Sequence, residues 1–383
     1  MHDIRIRSRL KAQLTKFSSE LCADLSKPLA RFVSQMLFGI QSSQDVKLSN
    51  IGRSLQEEIP LIRTEKRLSR NLKSAELEKE LTPQLVRMGS LRVQQNTVLA
   101  LDLSDVRKEY AQKMENLATV RDGSTGELHL GYWLCDVTAA EVGGSEIVPL
   151  YQKLFSVEAE DFTSENAEVL AAVDLIRTHT RGRGIWTIDR GGDRKKLLEP
   201  LLDRGERFVI RSTGKRTVID RRKLQGSVAE VAGRCRLPQQ ARIIKIQDGQ
   251  EKVYDLRYGA EPIRLPGRSE QLWLVVIAGF GEAPLMLLTN LPVTAKDSQS
   301  LVDRANLPDA LENWRVQSRT HCPVGERPTG AKRLRPCSWG GVVARKQDDG
   351  ALRQHARKGV CATHQVATYS ERRRSLVTRI SGG

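Results

Sequence analysis

The chain has 383 residues, enough for two or three structural units at roughly 100–200 residues each. Lys and Arg number 62 against 46 Asp and Glu, a formal net charge of +16, and 39% of residues are hydrophobic. That apolar content excludes disorder throughout, and no run of about 18 apolar residues exists to cross a membrane. Six scattered cysteines (22, 135, 235, 322, 337, 361) form no disulfide framework, and no apolar leader follows the basic start, so a cytoplasmic setting is expected. Residues 1–96 carry net +7, residues 303–383 net +9, and the middle is neutral. Basic ends around a neutral centre point to a polyanion, either nucleic acid or simply solvent around soluble arms.

In chain order, Leu10, Leu14, Phe17, Leu21 and Leu25 follow helical spacing. A second helix is expected over residues 30–40 after Pro28, with Gly39 as its stop, and a third over 46–55. The basic run 64–81 reads as one further helix, with Lys66, Arg67 and Arg70 as candidate DNA contacts. The alternative is an ordinary bundle with solvated basic side chains.

From residue 97 the period shortens. NTVLALDLSD, GELHLGYWLCDVTAAEV and SEIVPLY read as three strands, followed by a helix in 162–180. RGIWTID is a strand, RKKLLEPLLDRG a helix closed by Gly205, and RFVIRST another strand. This order predicts a mixed α/β sheet. TVID, ARIIKI, KVYDLRY, EPIRL, LWLVVIA and LMLLTN then form a β-rich stretch of about 80 residues. Beyond residue 302 neither period survives, so an irregular tail is expected.

Two acids end strands: Asp102 in LDLSD and Asp189 in TIDRGGD. Carboxylates at neighbouring strand ends can converge on a divalent ion and serve phosphoryl transfer; equally, Asp189 can cap the following helix and Asp102 a turn. No Gly-rich nucleotide loop of the G-x-x-x-x-G-K-[ST] type occurs. Gly143-Gly144 and Gly191-Gly192 read as turn glycines.

N-T-V-L-A-L-D-L-S-D followed by G-I-W-T-I-D-R-G-G-D-R-K-K-L-L resembles the catalytic core of bacterial insertion-sequence DDE transposases. The resemblance is to the subgroup with a β-rich insertion between the second and third acids. E-V-G-G-S-E-I-V-P-L-Y-Q-K-L-F-S, F-V-I-R and the upstream E-K-R-L-S-R-N-L also fit, so about residues 45–301 are covered. It implies an RNase H-like core over 97–211 preceded by a helical DNA-binding domain over 1–96. A β-rich insertion and return to the core follow over 212–301, then a tail over 302–383. Asp102 and Asp189 would be the first two metal ligands, with Arg190 and Asp193 supporting toward DNA or metal. Two Mg²⁺ (or Mn²⁺) ions are expected in an intact member. The implied partner is double-stranded DNA, at element ends and target, with a homodimer bridging two ends in a bacterial cytoplasm.

The third motif of that subgroup, Tyr-x-x-Arg-x-x-x-Glu, is missing where it should follow LTNLP and SQSLV. The nearest acids, Glu312 and Glu326, lack the Tyr and Arg spacing. Codons can be chosen for Val302 to Trp314 that, read one base later, give W-I-V-Q-T-Y-L-T-R-W-K-I, with Tyr, Arg, Trp and Ile in register. The expectation is a change of reading frame near Leu301, which removes the third carboxylate and cripples catalysis. Two other readings stay open: a dead DNA-binding remnant, and a generic metal-dependent phosphohydrolase, although the His clusters of binuclear hydrolases are absent. In the tail, Cys361-x-x-His364 has zinc-like spacing without a paired C-x-x-C, and an altered frame yields Cys and His by accident.

Overall fold

The computed structural model of the protein describes residues 2–293, apart from 75–76, 109, 112, 124, 143–145 and 248–249. The expected third motif, the irregular tail and the Cys361–His364 pair lie outside the described residues.

Five helices come first: α1 (His2–Leu21), α2 (Lys27–Ser43), α3 (Leu48–Leu55), α4 (Leu61–Ser74) and α5 (Leu77–Ser90). Gly39 does not stop α2, which runs four residues further. A Cβ there would lie 2.4 Å from Cγ2 of Ile51, so the glycine instead lets α3 approach closely. The basic run read as one helix divides between α4 and α5, and α5 continues through Pro83 at its middle.

The first half of the sheet comprises β1 (Val98–Arg107), β2 (Ala118–Arg121), β3 (Leu128–Ala140) and β4 (Ile147–Phe155), then α6 (Glu165–Thr180), β5 (Ile185–Ile188), a 3-10 turn (Arg190–Gly192), α7 (Lys195–Asp203) and β6 (Phe208–Arg211). Ser164 caps α6 by accepting from the Ala167 amide, and Gly205 at φ 69° closes α7, as expected. The second half holds β7 (Thr217–Asp220), β8 (Gln225–Ser227), α8 (Val228–Arg234), β9 (Gln239–Gln247), β10 (Gln250–Arg264), β11 (Leu272–Ala278) and β12 (Leu285–Thr289). KVYDLRY and EPIRL, read as two strands, form the one long β10, whose pairing with β11 runs on through Gly259; the glycine there answers to the Arg236 carbonyl, which leaves no room for a Cβ. The short β2, β8 and α8 were not foreseen; they carry too few residues for a period to show.

The described residues thus form a mixed α/β fold with eight helices and one twelve-stranded, mostly antiparallel sheet. The strand order is β2-β3-β1-β5-β6-β12-β11-β10-β7-β8, with β4 on β3 and β9 on β10. β1 runs antiparallel to β3 and parallel to β5, which is parallel to β6. β12 pairs antiparallel with β6, so the β-rich stretch continues the same sheet.

The two sheet faces bury different cores. Leu99, Leu101, Cys135, Val137, Trp186, Ile188, Phe208 and Ile210 share a core with α2, α5, α6 and α7. Ile185 and Val209, on the opposite face, join Tyr258, Val275, Ile277 and Leu287 in a second cluster. Among the described residues, no helix is long and apolar enough to cross a membrane.

Candidate active site

β1 and β5 run side by side in the same direction, with Leu101 opposite Ile188. Asp189 follows directly on the carboxyl end of β5, and Asp102 is the next residue of β1; contrary to the sequence reading, Asp102 does not end its strand, because pairing with β3 carries β1 on to Arg107. Asp102 points away from the face that buries Leu101.

Asp102 lies directly opposite Asp136 on β3, and Ile188 pairs with Ile210, which places Arg211 next beyond Asp189. Directly opposed residues share a face, so Asp136 and Asp102 lie side by side, with Asp189 just past the end of β5 and Arg211 at the end of β6. Asp136 is 6% exposed. Sequence reading passed over it because it sits mid-strand in a long alternating segment, where only the β1–β3 register reveals its neighbour. Among the described residues, no three His, Cys, Asp or Glu side chains converge closely enough to hold a metal ion.

Asp189 is reached by solvent at the strand end, but surrounding protein raises its carboxyl above the ordinary range, and the Asp102 charge raises it further. The Gly191 amide, Arg194 and Arg211 oppose that rise. The Gly191 N–H donates to Asp189 Oδ1 at 2.9 Å, which fixes the carboxylate over the 3-10 turn. Asp189 therefore caps this turn, and it also feels the Asp102 charge. A Cβ on Gly192 would lie 2.4 Å from Cγ2 of Ile188, so only glycine lets the turn fold back against β5.

The two residues expected to support the pair differ sharply. Arg190 is exposed beside Asp189. Asp193 is turned into its own chain. Its Oδ1 accepts from Arg216 Nε at 2.5 Å, while Oδ2 accepts from Ser212 Oγ at 2.8 Å, the Thr213 amide at 2.9 Å and Thr213 Oγ1 at 3.2 Å. Burial pushes its carboxyl up, but these hydrogen bonds and the Arg216 charge win and hold it low. Asp193 thus fastens the Asp189 turn to the segment leading into β7. Arg194 is tied to Glu165 at the start of α6 at 2.7 Å.

On α4, Lys66 and Arg70 are exposed and fall on one face with Arg63 and Lys73, spaced at three and four residues. Arg67 lies off that stripe. It donates to Glu57 at 2.6 Å and to Gln35 at 2.5 Å, joining α4 to α2 and the α3–α4 loop. Its charge is met within the protein, so of the three expected contacts only Lys66 and Arg70 face outward; sequence spacing alone could not separate them.

No protein-family model matches the chain, and no curated protein does. Among solved structures, the chain is similar to "Cryo-EM structure of piggyBac transposase synaptic complex with hairpin DNA (SNHP)". The TM-score is 0.41 with 10% sequence identity, covering 94% of this chain and 73% of that one.

Proposed function

We propose that the chain is a transposase of the DDE type that binds double-stranded DNA and whose strand-cleaving chemistry is crippled by loss of the third carboxylate. One observation carries the reading: Asp102, midway along β1, and Asp189, just past the carboxyl end of the parallel neighbour β5, lie near enough for the Asp102 charge to be felt by Asp189. The order β4-β3-β1-β5-β6, three antiparallel strands followed by two parallel ones joined through α6 and α7, supports an RNase H-like core over 97–211. By role, residues 1–96 bind DNA, 212–301 form an insertion that returns to the core, and 302–383 are out of frame.

Two hard oxygen donors near one another suit Mg²⁺ or Mn²⁺. When bound, such an ion neutralises charge on the reacting phosphate and lowers the pKa of an attacking water or 3′-hydroxyl. The chain's own part is then definable. Asp102 and Asp189 hold the ion, and the Gly191 amide keeps Asp189 in place. Arg190 offers its charge to phosphate at the same edge, and Lys66 and Arg70 on the outer stripe of α4 engage the backbone of a bound duplex. On DNA we expect a homodimer bridging two ends.

A second reading, a DNA-binding remnant without catalysis, is favoured by the missing Tyr-x-x-Arg-x-x-x-Glu after β12. Incubation with the DNA flanking its own gene, in Mg²⁺ or Mn²⁺, separates the two. Strand cleavage that disappears in Asp189→Ala supports residual activity, binding without cleavage supports the remnant, and absence of both overturns the proposal. Nucleotide sequence across codons 302–314 tests the altered frame: if the shifted frame does not encode Tyr-x-x-Arg, that explanation of the missing motif is wrong.

A further inference from the structure

The turn between β7 and β8 is built unlike an ordinary hairpin tip. Arg221, Arg222, Lys223 and Leu224 are four consecutive exposed residues. Lys223 adopts φ 64°, a left-handed backbone that lysine rarely takes, and Leu224 is 53% exposed with three cations preceding it. The turn is nevertheless held firmly. Asp220 Oδ1 accepts from the Arg222 and Leu224 amides at 2.8 and 2.9 Å, and the Asp220 amide donates to the Leu224 carbonyl at 3.0 Å. Arg221 is steadied by Glu261 at 3.0 Å, whereas Arg222 and Lys223 form no ion pair among the described residues.

The base of this hairpin is fastened to the candidate active site. Arg216, one residue before β7, is the partner of Asp193, which closes the turn that carries Asp189. β7 has four residues, about 13 Å at 3.3 Å each, so the tip stands about four base-pair rises beyond Arg216. A fixed cationic tip ending in an exposed apolar side chain has the chemistry of elements that hold phosphates and press a wedge into the minor groove.

We propose that the β7–β8 hairpin is a finger that grips duplex DNA alongside the Asp102–Asp189 pair, with Arg222 and Lys223 on phosphates and Leu224 against the minor groove. The inference rests on the DNA-acting reading above and adds a contact surface to it. The test measures binding of the full chain to a 30-base-pair duplex by fluorescence anisotropy over a KCl series. Arg222→Gln combined with Lys223→Asn, asparagine being tolerant of the left-handed backbone, removes two phosphate contacts. The slope of log K against log salt should fall by about 1.8, and affinity near 0.1 M KCl by about sixtyfold. Arg222→Gln alone should lower the slope by about 0.9, which keeps the test decisive if the double variant does not fold. Leu224→Ser should weaken binding at unchanged slope. Parental slope and affinity in folded hairpin variants overturn the finger and leave the proposed function standing. Failure of the parent chain to bind duplex at any salt overturns both.

Discussion

Replacing Asp193 by alanine removes the carboxylate that joins the Asp189 turn to the segment leading into β7. In the folded protein the Asp193 side chain is 1% exposed and that of Arg216 is 13% exposed. The substitution therefore strands a nearly buried guanidinium, together with the Ser212 hydroxyl and the Thr213 amide. Removing one partner of a buried pair typically costs about 3–5 kcal/mol, and the extra donors keep the expected loss in that range. Urea unfolding at neutral pH, comparing parent and Asp193→Ala, measures it. The pH dependence has a defined sign. The native carboxyl lies below its unfolded value near 3.9, so its contribution is fully present above that value and is lost as pH falls through the lowered native pKa. The parent should lose this increment in acid, and the variant should show no such loss. A cost below about 1 kcal/mol, or acid profiles that run parallel, would refute the clamp.

Four further outcomes follow from the structure. Gly192→Ala drives a Cβ to 2.4 Å from Ile188 Cγ2 and should cost about 1–3 kcal/mol in urea unfolding, because β5 is buried on both sides. Trp186→Phe removes the indole N–H that donates to the buried Glu206 carboxylate at 2.8 Å. It should cost about 1–3 kcal/mol by the same assay, since the buried Glu206 carboxylate loses this donor while its ion contact with Arg177 remains. On α4, Arg67→Ala should lower stability by about 1 kcal/mol, a figure reduced for partial exposure, with little change in DNA affinity. Lys66→Gln with Arg70→Gln should do the reverse, lowering the salt slope of duplex binding by about 1.8.

Much of this protein was legible in the linear sequence. The three-to-four spacing in the first 90 residues and the short apolar runs after residue 97 are local signals, since burial of one helix stripe or one strand repeats along the chain itself. The acid and glycines of TIDRGGD at the end of β5 are equally local, whereas LDLSD reads as a strand end only until pairing with β3 extends β1 to Arg107. What the chain could not disclose was partnership across strands and helices. Asp136 becomes a neighbour of Asp102 only through the β1–β3 register, and a shift of one residue would send it to the other face. Asp193 shares its motif with Asp189 yet serves a different end, because Ser212, Thr213 and Arg216 fold back onto it. Arg67 and Arg70 are three residues apart on one basic helix, but the rotation of α4 against α2 turns the first toward Glu57 and leaves the second outward. Identity and spacing settled which residues could do chemistry or hold charge; packing settled which charges meet inside the protein and which face solvent, because electrostatic pairing depends on distance in space and not on distance along the chain.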